Sequence, residues 1–125
     1  MIMTFTGKEL SAILKMGLSM AAADGKFADE EKAAICLELL KFGVSKSQFE
    51  QLLNDAEVME ASVAFAAIAN MNEVQKKYVT GYLAFIMASD GDVADSEVKM
   101  WQLISALACL PNMTISEALS FWENH

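Results

Sequence analysis

"MAAADGKFADEE", residues 20–31, nearly recurs as "IMASDGDVADSE", residues 86–97. Aligned without a gap, six of the twelve positions are identical: Ala22/Ala88, Asp24/Asp90, Gly25/Gly91, Ala28/Ala94, Asp29/Asp95 and Glu31/Glu97. Each copy reads as a helix end, a turn and a helix start. Gly25 and Gly91 stand where a left-handed residue stops a helix. Asp29 and Asp95 stand where the next helix is capped. Glu31 and Glu97 fall in its first turn, where a carboxylate suits the helix dipole. A helical hairpin used twice predicts an all-α fold with an internal pseudo-twofold duplication.

The rest of the chain extends the pattern. Ile13, Met16, Gly17 and Met20 recur at three- and four-residue spacing, as do Ile35, Leu39 and Leu40. Thr6-x-x-Glu9, Ser45-x-x-Gln48 and Thr114-x-x-Glu117 match the capping box, and Asn72-x-x-Gln75 matches it with Asn at the cap. Gly43 is a third C-terminal stop signal. These marks predict a bundle of about seven short helices, near 7–24, 29–42, 46–56, 60–70, 73–90, 95–110 and 115–124. The first and fifth carry small residues on several faces and are expected to be the most buried.

The 125 residues, 54% of them apolar, make a single domain over 1–125 with enough apolar side chains for a core. The net charge is −8, and every basic residue is lysine. Without the forked guanidinium, nucleic acid is not an expected partner, and an acidic chain is not drawn to an anionic membrane surface. No apolar run reaches the ~20 residues of a membrane span, so no membrane insertion is expected. "MIMTFTGKEL" lacks the basic and apolar regions of a signal peptide, which predicts a cytoplasmic protein. Cys36 and Cys109 both lie in apolar helical pattern and read as buried, reduced thiols.

The charge is concentrated. "DGKFADEE" and "DGDVADSE" each hold four acidic residues of the chain's 17, and with Lys26 they sum to −7. The turn resembles the second half of a calcium-binding EF-hand loop. The first half excludes that reading, because its first and third ligands would be Met20 and Ala22, or Ile86 and Ala88. Helix caps and first-turn charges account for Asp29, Asp95, Glu31 and Glu97. Asp24 and Asp90 differ, since a carboxylate in the last turn of a helix opposes the dipole. Two groups could offset each of them: the free amides of the next helix, or a divalent cation held by Asp24, Asp90 and one or both of Glu31 and Glu97.

At these residues, "AAADGKFADEEKAAI" and "MASDGDVADSEVKMW" resemble the paired acidic helix-turn motifs of the tellurite-resistance TerB-like domain family. The likeness runs from about residue 6 to residue 123. It implies an all-helical bundle in a bacterial stress-response setting. It also implies divalent-cation or small-ligand binding, carried over to Asp24, Asp29 and Glu31 and to Asp90, Asp95 and Glu97. Related domains occur in a membrane-anchored co-chaperone. Ser96 stands where the first copy has Glu30, and Lys26 where the second has Asp92, so the copies are not expected to bind alike.

No enzymatic activity is expected. The one histidine, His125, is a terminal residue, and no Gly-rich phosphate loop occurs. A divalent cation is the one cofactor this reading offers. The alternative is a protein-interaction or dimerisation module, a homodimer included, whose acidic turns are purely structural. Its nine methionines would then supply adaptable contacts or fill core gaps, with Trp101 and Trp122 as the large aromatics, and Phe121 and Trp122 on the short last helix would cover a groove or meet a partner.

Overall fold

Four reciprocal capping exchanges open four helices where the sequence marks them. Thr6 Oγ1 accepts from the Glu9 amide at 3.1 Å, and the Thr6 amide donates to Glu9 Oε1 at 2.8 Å. Ser45 with Gln48, Asn72 with Gln75, and Thr114 with Glu117 repeat the exchange. Each satisfies two amides that the first helical turn leaves without partners. These boxes begin α1 (Gly7–Ala21), α2 (Lys46–Val58), α4 (Glu73–Ala88) and α6 (Ile115–Glu123), with α3 (Ala61–Ala69) and α5 (Asp95–Leu107) between them.

The computed structural model describes residues 5–21, 37–38, 41, 43–88 and 95–124. Among the described residues the chain is an all-α bundle of six helices with no strand. The further helix expected at 29–42 falls mostly outside them; Leu37 and Glu38 are helical. Gly43 has the left-handed φ of 75° expected of a helix stop, whereas Gly25 and Gly91 lie outside the described residues. Helix α5 ends at Leu107, short of the expected 110.

Helix α4 is the centre of the bundle. From Tyr78 to Met87 all its residues but Phe85 are buried, so it has no solvated face to spare. It packs on α6, α1 and α5, and α1 packs also on α2, α3 and α5. Close approach uses two glycines. A β-carbon on Gly81 would lie 3.1 Å from the Ala118 carbonyl oxygen and 3.3 Å from Trp122 Cβ. One on Gly17 would lie 3.1 Å from Ile86 Cδ1 and 3.3 Å from Tyr82 Cε1.

Two hydrogen bonds orient α2 on α1. Ser11 Oγ donates to the Leu52 carbonyl at 3.5 Å, and Lys15 Nζ donates to the Ala56 carbonyl at 3.2 Å. Both span the same sequence separation, so the helices run in the same direction. The Lys15 ammonium also meets one of the carbonyls that the end of α2 leaves without an intrahelical partner, at the negative end of its dipole.

Candidate functional site

The acidic turns follow directly from a helix contact. Ala21, the end of α1, is three residues before Asp24; Ala88, the end of α4, is two before Asp90. The two helices meet at Gly17 and Ile86, close to those ends. At 1.5 Å per residue, Ala21 lies about 6 Å and Ala88 about 3 Å beyond the contact. The two acidic segments therefore follow helix ends that lie no more than about 20 Å apart. The small side chain that permits this approach is Gly17, inside the periodic stretch read from the sequence.

Of the candidate residues, Asp24, Asp29, Glu31 and Asp90 lie outside the described residues. Asp95 is the first residue of α5 and is exposed. Glu97 occupies the first turn of the same helix and is only 2% exposed. A carboxylate is rarely buried this completely unless it is paired or ligating, and that of Glu97 is not without a partner. The dipole at the head of α5 favours its negative charge. Among the described residues, no three His, Cys, Asp or Glu side chains come together as a metal-binding group.

A second charged cluster escaped the sequence reading. Glu38, 4% exposed, accepts a 2.7 Å hydrogen bond from the Tyr78 hydroxyl. Its other oxygen lies 3.2 Å from the exposed Lys41 ammonium. Burial, reinforced by the hydrogen bond to Glu38 and by its charge, pushes the Tyr78 phenol far above its ordinary pKa. The phenol is thus a fixed donor, not a base. The legible signal was a lone carboxylate inside the apolar run from Ile35 to Leu40. Its partner, forty residues away, was not legible.

Beside this cluster, aromatic rings from α4 and α6 form a wall. Trp122 lies 5.2 Å from Tyr78, 5.7 Å from Tyr82 and 5.2 Å from Phe85, centroid to centroid. Lys41 Nζ stands 5.9 Å from the Trp122 ring centre. An open pocket of about 480 Å3 is lined by Lys41, Phe85, Leu119, Trp122 and Glu123. Trp122 itself is 6% exposed. It closes α6 over α4, one of the two roles its place on the last helix allowed. The pocket offers an apolar floor with one ammonium and one carboxylate at its rim.

The chain matches the crystal structure of a protein of unknown function, PG1108 from Porphyromonas gingivalis W83. The two are 49% identical, with a TM-score of 0.84, over 99% of this chain and 100% of that one. No protein-family model matches the chain, and no curated protein matches it.

Proposed function

The chain belongs to the family of PG1108, and we propose that it is a non-enzymatic, TerB-like helical domain that binds a divalent cation or small ligand through its duplicated acidic turns, in a stress-response setting. In this reading 29–42 is a further helix, and the two helical hairpins are pseudo-twofold copies. The carboxylates that would hold a cation are Asp24, Glu31, Asp90 and Glu97.

The observation that carries this reading is the contact of α1 and α4 at Gly17 and Ile86. It starts both acidic segments from neighbouring helix ends. Glu97, buried at the head of α5, ties the second motif to the core. A hard cation takes six to eight oxygen ligands, and four carboxylates with carbonyls and water meet that number.

The test is thermal unfolding with calcium, magnesium, manganese or zinc, on the parent and on Asp24→Asn/Asp90→Asn. At about a hundred times the dissociation constant, a cation adds about 2.7 kcal/mol, which raises the melting temperature by roughly 10 °C. The rise is expected in the parent alone. No shift with any cation rejects the reading and leaves an interaction module with purely structural turns.

A further inference from the structure

Burying a carboxylate costs free energy, and an apolar side chain of similar volume often serves a core as well. The buried Glu38 nevertheless has a visible effect: it fixes Lys41. One of its oxygens takes the Tyr78 hydroxyl at 2.7 Å, and the other lies 3.2 Å from the Lys41 ammonium. The Lys41 side chain is 61% exposed, so the anchored ammonium still faces solvent. It carries three donors, and the contact with Glu38 uses one. A cation with donors to spare is thus held at the rim of the pocket of about 480 Å3. A buried group behind a binding group, restricting where it points, is how sites gain precision.

We propose that this pocket binds a free α-amino acid with an aromatic side chain: its carboxylate on Lys41, its ammonium on Glu123 and its ring on the floor of Phe85, Leu119 and Trp122. Charge selects the occupant. Lys41 and Glu123 line the same pocket and carry opposite signs. A plain carboxylate would leave Glu123 opposed to it and would approach a chain of net charge −8. A plain amine would meet the Lys41 ammonium. A zwitterion answers both rim groups and has no net charge to be repelled. The floor selects the side chain. The Phe85 and Trp122 rings, 5.2 Å apart and 21° from parallel, offer aromatic surface on which a further ring can pack.

The volume falls in the range of small-molecule sites, about 300–1,000 Å3. The pocket is open, so a bound amino acid keeps part of its surface in water. Binding is therefore weak, with a dissociation constant of about 0.1–1 mM. Lys41, Phe85, Leu119, Trp122 and Glu123 belong to neither acidic turn. The site needs no cation, and its occupancy is read separately from cation binding at the turns.

Nuclear magnetic resonance of the nitrogen-15-labelled chain, without divalent cations, tests it. The chain has two tryptophans, so two indole N–H signals are followed. L-Phenylalanine, added up to about 10 mM, should move the Trp122 signal saturably and leave that of Trp101, on α5, in place. Phenylacetate lacks the amine and phenethylamine lacks the carboxylate, and each should bind at least about threefold more weakly. Lys41→Gln and Glu123→Gln should each weaken L-phenylalanine by a similar factor. Lys41→Gln also removes a partner of buried Glu38, whereas Glu123→Gln leaves that cluster intact and keeps the test open if the first variant unfolds. No saturable movement of the Trp122 signal overturns the proposal. Phenylacetate or phenethylamine binding as tightly as L-phenylalanine overturns it too, as does a folded Glu123→Gln that binds like the parent.

Discussion

Cys109 sits in a place that usually belongs to glycine. Its φ is 54°, and the Leu110 amide reaches back to the Ser105 carbonyl at 2.9 Å. That bond closes a Schellman turn at the end of α5, with Cys109 as its left-handed residue. The cysteine is exposed, which corrects the expectation of a buried thiol; Cys36 lies outside the described residues. The apolar pattern runs through "SALACL", so nothing in it separates the last helical residue from the first turn residue. Pro111 does mark a stop nearby. A β-carbon in this conformation costs about 1 kcal/mol, so Cys109→Gly should stabilise the protein by about that amount in urea unfolding. Tyr78 carries the opposite expectation. Tyr78→Phe leaves the buried Glu38 carboxylate without its 2.7 Å donor and should cost about 2 kcal/mol. The pH sense follows from the raised phenol pKa. The contribution of Tyr78 is complete below the ordinary tyrosine value near ~10 and is lost only as pH rises through the higher native one. An ultraviolet pH titration should therefore find Tyr78 silent until the chain unfolds.

Helix starts were the most legible elements, because a capping box is local: both partners lie within four residues. All four read from the sequence are present. Helix α3 had no such mark, and its cap position, Glu60, makes no side-chain cap bond. Its place in the fold comes from packing of Ala64 and Ile68 into the core. The box at Thr114 gives a pH prediction for α6. Hydrogen bonding to the Thr114 backbone amide, and then to its side chain, holds the exposed Glu117 carboxyl below its usual value. Its support for α6 is present above the ordinary carboxylate pKa and is lost as pH falls through the lowered native value. Glu117→Gln keeps an acceptor for the box but does not titrate. Its melting temperature should fall less steeply than the parent's on acidification.

At the scale of the molecule the charge is concentrated, the two acidic turns with Lys26 summing to −7 of the net −8. On the proposed reading a divalent cation raises the melting temperature of the parent and not that of Asp24→Asn/Asp90→Asn. The sequence by itself determined the helical class, most helix starts and the duplication of the acidic turns, because spacing, caps and identity are local properties. It also marked small residues of the first and fifth predicted helices as permitting close approach, but held Gly17 only as a position of the apolar periodicity. Only the tertiary structure decided that α1 and α4 meet just before both turns. It alone paired Glu38 with Tyr78, buried Glu97 and left Leu103 and Leu107 in solvent. Each of these depends on which helix faces cross, and periodicity gives every helix an apolar face without naming the face it meets.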